Sequence, residues 1–382
     1  MNGIYIHVPF CAHRCVYCGF YSTTYGASVR EEYVEALCHE LRLRRDYLPA
    51  EDIDTLYIGG GTPSQLSLGQ FDRIFSQIRQ DFILSPQAEV TVEVNPDDVT
   101  PDLVTGLRGL GVNRLSMGIQ TLDDDLLRLL RRRHTAREAL HAVEVIVSGG
   151  IPSLSVDLIY GLPRQSLKGW TDDVERVLRL PIQHLSAYCL MYEEGTPLYR
   201  MKERGELEEA GDELERQMYE WLLDMTAAAG MEHYEISNFC RPGCRARHNS
   251  GYWQEMRYLG CGPGAHSYDG RSRRWNNGDV LAYIKAGGDT SRSGLSEGEL
   301  LTESDLLDEM VMKSLRTCEG IDLRHFRQRF GETATDALID RARPFVTQGV
   351  LRLDKGRERL VLSREGLFVS DMIMSGLMAV DD

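Results

Sequence analysis

Cys11, Cys15 and Cys18 crowd three of the chain's nine cysteines into one short stretch with the spacing C-x3-C-x2-C. Thiolates are soft ligands that favour iron–sulfur clusters, zinc and copper(I). Structural zinc and ordinary iron–sulfur centres take four protein ligands, but the residue two after Cys18 is Phe20 and no fourth cysteine stands nearby. Three ligands leave one coordination position open, which chemistry at a metal requires. The competing assignment is a zinc site completed by His7, His13 or a distant cysteine; the crowding favours a cluster. Nine cysteines in 382 residues are too sparse for a disulfide scaffold, and the number is odd, so a reducing, cytoplasmic setting is expected.

The cysteines follow directly on a short β-rich run, and that run opens a regular alternation. Strands are expected at Ile4–Val8, Thr55–Ile58, Glu89–Val94, Asn113–Met117, Ser153–Ile159 and His184–Cys189. Helical patterns fall between them at about 29–47, 67–81, 101–109, 123–130 with 136–148, and 167–179. Strand–helix alternation builds parallel sheets. Six such units give an α/β fold, a partial (β/α)6 barrel over 1–190, with the working residues at the C-terminal strand ends. Residues 191–290 are expected as an α+β extension: acidic helices from Glu193 to Ala229, then an irregular, aromatic-rich segment from Glu235 to Trp275. Residues 287–298 read as a linker. Helical patterns at about 302–316, 322–330 and 333–347, two short strands (Val350–Leu353, Arg359–Leu362) and a closing helix make 291–382 a small winged-helix-like domain.

Composition limits the partners. Lys+Arg 43 against Asp+Glu 58 leaves a net charge of −15, which disfavours nucleic acid, whose phosphates attract basic surfaces. An acidic surface also has no attraction to anionic lipids, so membrane association would go through a protein partner. No run of eighteen apolar residues appears in the sequence, so no membrane span is expected, and MNGIYIHVPFC does not read as a signal peptide.

The segment YIHVPFCAHRCVYCGFYS resembles the radical SAM enzymes, within them the branch that contains oxygen-independent coproporphyrinogen dehydrogenases and haem chaperones. The resemblance implies that Cys11, Cys15 and Cys18 hold a [4Fe–4S] cluster whose fourth iron binds S-adenosylmethionine (SAM) for cleavage to a 5′-deoxyadenosyl radical. Gly59–Gly60–Gly61–Thr62–Pro63 follows the second strand, where glycines let backbone approach a ligand. It resembles the family's element for the methionine amino group. EVNP, MGIQT, LLRRRH and DLIYGLP match the branch as well, which implies that Glu93, Gln120, Arg132 and Asp157, with Tyr5, line the SAM pocket. The carboxylates would take the ribose hydroxyls or the amino group, and Arg132 the carboxylate.

Within that branch, Phe20 stands where the dehydrogenases carry a fourth cysteine, and the cysteine motif starts almost at residue 1 where they have an N-terminal extension. His248–Asn249–Ser250–Gly251–Tyr252–Trp253 resembles the HNxxYW motif of the haem chaperones, which implies haem contact by His248, Asn249, Tyr252 and Trp253. Imidazole is a common ligand of haem iron, and aromatic rings offer flat apolar surface to a porphyrin. His266, in LGCGPGAHSY, is a second candidate ligand. Cys240, Cys244 and His248 have a spacing that can bind a second metal, but the two cysteines read as free thiols in a loop; Cys38, Cys189, Cys261 and Cys318 read as core residues. The expected function is haem delivery to client haemoproteins, membrane-bound respiratory enzymes among them, with a homodimer as a further expectation. The alternative is a radical SAM enzyme acting on a tetrapyrrole.

Overall fold

A computed structural model describes the whole chain apart from Ala50, Glu51, Ser293, Lys355, Arg357 and residues 379–382. Six βα units run in order: β1 (Asn2–Val8), α1 (Ala27–Leu43), β2 (Asp52–Gly60), α2 (Leu68–Asp81), β3 (Ile83–Val94), α3 (Pro101–Gly109), β4 (Arg114–Gln120), α4 (Asp124–Leu129), α5 (Ala136–Ser148), β5 (Ser153–Tyr160), α6 (Leu167–Leu178) and β6 (His184–Cys189). All six expected strands are present and mutually parallel in sequence order. The barrel is partial and does not close.

Side chains alternate across a strand, and here the two faces differ sharply. Ile4, Ile6, Val8, Leu56, Ile58, Val92, Leu115, Met117, Leu154 and Val156 are buried outward in one core with Leu37 and Leu41 of α1 and Phe71, Ile74 and Phe75 of α2. Each such side chain contributes about 1.5–3 kcal/mol by leaving water. The alternate residues are Tyr5 and His7 on β1, Tyr57 on β2, Glu93 on β3, Ser116 on β4 and Asp157 on β5, almost all polar. A polar concave face is costly to bury without partners, so the apolar face fixes the register and the polar face marks the interior as a site. Capping boxes start α2 (Ser67 with Gln70) and α5 (Thr135 with Glu138), setting where two loops turn back onto the sheet.

The sheet extends well beyond six strands. After α7 (Pro197–Glu203) and α8 (Asp212–Ala228), β7 (Glu232–Glu235) and β8 (Asn238–Cys240) join the β6 edge. Beyond α9 (Arg247–Trp253), strand β9 (Arg257–Cys261) adds parallel to β1, followed outward by β10 (His266–Tyr268), β11 (Ser272–Asn276) and, past α10 (Val280–Lys285), β12 (Ser296–Leu300). The segment 235–275, expected to be irregular, thus flanks the barrel on both sides. The C-terminal part of the expected linker is the edge strand β12; Ser293 within it lies outside the described residues.

A second core unites α11 (Glu303–Leu315), α12 (Leu323–Thr347), α13 (Arg364–Leu367), α14 (Ser370–Leu377) and a three-stranded antiparallel sheet of β13 (Ile321–Asp322), β14 (Leu351–Asp354) and β15 (Arg359–Leu362). The two helices expected at 322–330 and 333–347 meet at Gly331, whose φ of 86° breaks α12. No helix among the described residues is long and apolar enough to cross a membrane.

Candidate functional site

The cysteines lie on the loop between β1 and α1, at the C-terminal end of the sheet. This loop is anchored from both sides. The Val16 amide donates to the Leu130 carbonyl and the Leu198 amide to the Val16 carbonyl. The Val16 side chain is sealed in a small core with Leu126, Leu130, Ile159, Leu162 and Leu198. The thiols themselves stay half-exposed. Burial pushes the Cys11 thiol up against the pull of the Thr62 and Ser22 hydroxyls, and pushes Cys18 up to about 11, with Cys15 and Cys11 adding to the rise. The three thiols are therefore mutual neighbours, although among the described residues no three potential ligands have closed into a metal cage. Three soft sulfur donors on one half-exposed loop are matched to a soft metal centre, so the donor set fits the iron–sulfur group expected here.

Two neighbours tie that loop to the sheet. Thr62 Oγ1 donates to Cys11 Sγ at 3.3 Å, and Arg132 Nη1 donates to Cys15 Sγ at 3.5 Å. Arg132 also donates through Nη2 to Asn95 Oδ1 (2.8 Å) and the Gly118 carbonyl (2.7 Å), while its buried Nε has no partner. An unpaired buried guanidinium N–H is a donor waiting for an anion. The turn after β2 makes room beside it: at Gly60, with φ 110°, a Cβ would stand 2.7 Å from the His7 ring, and at Gly61 one would stand 2.9 Å from the Phe10 carbonyl. Gln120, at the irregular end of β4, holds φ 71°, a conformation costing about 1–3 kcal/mol and typical of ligand sites.

Deeper inside, Tyr57 Oη donates to Glu93 Oε1 (2.6 Å), and the Gly60 amide to Glu93 Oε2 (3.1 Å). Asp157 accepts from Ser116 Oγ at 3.4 Å, and Tyr5 shares a hydrogen bond with His7 Nδ1 at 3.0 Å. Burial pushes Asp157 up from its ordinary range, and pushes Glu93 up to about 7, partly opposed by the Tyr57 hydrogen bond. The eight residues expected for SAM thus ring the C-terminal half of the barrel interior and its rim.

Glu93 gives a pH test. Its folded value is near 7 and its ordinary value is 4.5, so between the two the folded chain holds more proton than the unfolded one. Stability from this carboxyl is complete below about pH 4.5 and falls as pH rises through about 7. Urea unfolding of wild type and Glu93→Gln should show wild type losing about 3 kcal/mol relative to the neutral isostere from about pH 4.5 to about pH 8. A difference that stays flat across that window would contradict the assignment.

The HNSGYW residues are elsewhere. Helix α9 plugs the opposite end of the barrel, where the Glu89 carboxylate accepts from the Arg247 and His248 amides at 2.9 Å each. His248 is 1% exposed, and both ring nitrogens are engaged: Nδ1 with Thr55 Oγ1 (2.8 Å) and Nε2 with Tyr252 Oη (2.9 Å). Burial, with Arg114 adding its charge, pushes this imidazole down to about 3. Trp253 turns away, its ring under the Arg316 guanidinium at 4.9 Å from the end of α11, and Asn249 is half-buried on the same helix. Of the four residues expected at haem, Tyr252 lines an open aromatic pocket. That pocket, about 250 Å³, is lined by Tyr5, His7, Phe20, Tyr21, Tyr252, Tyr258, Gly264 and His266.

Two cysteines lie in surroundings other than those expected. Cys240 is a free thiol as expected, but it is buried on strand β8 rather than placed in a loop, and its thiol reaches Glu232. Cys318, expected in the core, is exposed beside Arg245. Sequence reasoning also passed over Arg114, buried inside the barrel with Nε and Nη1 unpartnered. A lone Arg opening a strand carries no motif.

Known proteins share this architecture. Residues 5–177 match the radical SAM superfamily and 301–369 the HemN C-terminal domain. The chain is 35% identical to the heme chaperone HemW of Mycobacterium tuberculosis (strain ATCC 25618 / H37Rv), covering 98% of this chain and 94% of that one. It is 32% identical to the heme chaperone HemW of Lactococcus lactis subsp. lactis (strain IL1403), covering 100% and 98%. Among solved structures, the coproporphyrinogen III oxidase HemN of Escherichia coli superposes with a TM-score of 0.86 over 99% of this chain and 90% of that one. At 22% identity this likeness speaks for the fold. Near-complete coverage at such identity is more than a shared barrel, and the chain belongs to the HemW family of radical SAM proteins.

Proposed function

We propose that this protein binds haem and passes it to client haemoproteins, using a [4Fe–4S] cluster and SAM held at the barrel mouth. The observation that carries the reading is the full-length likeness to proteins named heme chaperone HemW. Cys11, Cys15 and Cys18 would hold the cluster. Tyr5, Gly60, Gly61, Thr62, Glu93, Gln120, Arg132 and Asp157 would hold SAM, with the free Nε–H of Arg132 available to its carboxylate. Bound together, cluster and SAM supply one-electron chemistry.

The chain's own residues do the rest. Tyr57 and the Gly60 amide hold the Glu93 carboxyl in place at the turn after β2. His248 fixes the Tyr252 ring from beneath, so the HNSGYW helix serves haem through Tyr252. The acidic surface suits recruitment by protein clients, including membrane-bound respiratory enzymes, better than direct contact with anionic lipid. A second copy of the chain is a further partner, and the crowded thiols suit a reducing cytoplasm.

The alternative is a radical reaction on a tetrapyrrole, which the same cluster and SAM residues at the barrel mouth would serve. One anaerobic experiment separates the two: cluster-loaded protein with SAM, reductant and coproporphyrinogen III, read by mass spectrometry beside a haem titration read by absorbance. An unchanged substrate and stoichiometric haem uptake are expected. Loss of two carboxyl groups from the substrate would sink the chaperone reading.

A further inference from the structure

Three imidazoles face the aromatic pocket or its floor: His7, His248 and His266. His7 is buried, with Nδ1 engaged by Tyr5 Oη and Nε2 by the Tyr21 carbonyl, 3.0 Å each. His248 is sealed as described. His266 is different. It is exposed at the start of β10, and among the hydrogen bonds of the described residues neither of its ring nitrogens takes part.

We infer that His266 is the imidazole that takes the haem iron, with an edge of the porphyrin seated among Tyr252, Tyr258, Tyr21 and Phe20. This rests on the haem-binding reading above and replaces its expected ligand. The register of the sheet aims the side chain: Tyr268 pairs with Tyr258, so His266, Tyr258 and Tyr5 share the concave face. Stacking on Trp275, centroids 5.9 Å apart and planes 25° apart, fixes the ring without using its nitrogens.

The surroundings suit a flat apolar ligand. Phe20, 72% exposed two residues after the third cysteine, and the part-exposed Tyr21 leave aromatic surface in water at the pocket's lip. Exposed aromatic surface of this kind marks a binding site. At about 250 Å³ the pocket is smaller than the roughly 300–1,000 Å³ that encloses a drug-sized ligand. A porphyrin would therefore be gripped at one edge and one iron face, leaving the remainder open to a recipient. Such a site suits transfer.

The test is a haem titration of the cluster-loaded full chain, wild type against His266→Ala, followed by absorbance and electron paramagnetic resonance. Because His266 is exposed and outside all three cores, the variant should fold. Wild type should show a histidine-ligated spectrum. The variant should lose that signature, bind at least tenfold more weakly, and regain the signature when free imidazole is added. A variant that titrates like wild type, or whose spectrum imidazole does not restore, would overturn the assignment while leaving haem binding intact. Absence of haem uptake by wild type would instead remove the chaperone reading, and this inference with it.

Discussion

Replacing Cys11, Cys15 and Cys18 together by Ala should bring bound iron and sulfide to background and abolish reductive cleavage of SAM, while the melting temperature barely moves. The loss is expected to be total because a cluster cannot assemble once all three of its assigned thiolate ligands are gone. Stability survives because the thiols are half-exposed, whereas the loop is held by Val16 and its backbone hydrogen bonds. Exposed side chains away from buried networks usually change stability by no more than about 0.5 kcal/mol. Iron and sulfide analysis after anaerobic reconstitution, with a thermal melt, reads both parts. Retention of iron by the triple variant would contradict the assignment of these ligands, and one zinc per wild-type chain in place of iron would favour the closed zinc site.

The second large effect lies far from the thiols. Glu40 of α1 is fully buried, and its carboxylate gathers the β9–β11 flank. Oε1 accepts from Arg44 Nη1 (3.2 Å) and Asn276 Nδ2 (2.8 Å); Oε2 accepts from the Gly262 amide (2.8 Å) and Tyr283 Oη (2.7 Å). Arg44, itself buried, donates onward to the Gly260 carbonyl and to Ser267 Oγ, next to His266. Glu40→Ala leaves the Arg44 charge buried without its counter-ion and should cost about 3–5 kcal/mol. Urea unfolding measures that cost. Haem affinity should fall as well, because the flank that carries Tyr258 and His266 loses its tie to α1. A loss under about 1 kcal/mol would mean that the network behaves like a surface pair.

The two halves of the molecule were unequally legible. The six βα units announce themselves by apolar strands such as YIHV and LSVDLIY between amphipathic helices, and the cysteine spacing names its chemistry locally. The flanking strands do not. His266–Tyr268 is three residues long, and Ser296–Leu300 (SEGEL) is an almost wholly exposed edge whose glutamates carry no strand signal. Pairing with β9 and β11 makes them strands, and pairing is a tertiary fact. Glu40 reads as one more acid on a solvated helix until its four partners, drawn from residues 44, 262, 276 and 283, are seen. The HNSGYW motif shows the opposite limit. Its residue types fit haem, but a linear motif carries no information on which end of the barrel it occupies. The structure turns His248 inward and leaves the exposed imidazole at His266.

Haem hand-over tests the central claim most directly. The full chain, loaded with cluster and one haem, would be mixed anaerobically with an apo-haemoprotein that develops a distinct absorbance on uptake, with and without SAM. The account predicts stoichiometric transfer faster than spontaneous loss of haem to a non-specific acceptor such as serum albumin. Transfer no faster than that loss, or haem that never leaves the protein, would contradict it.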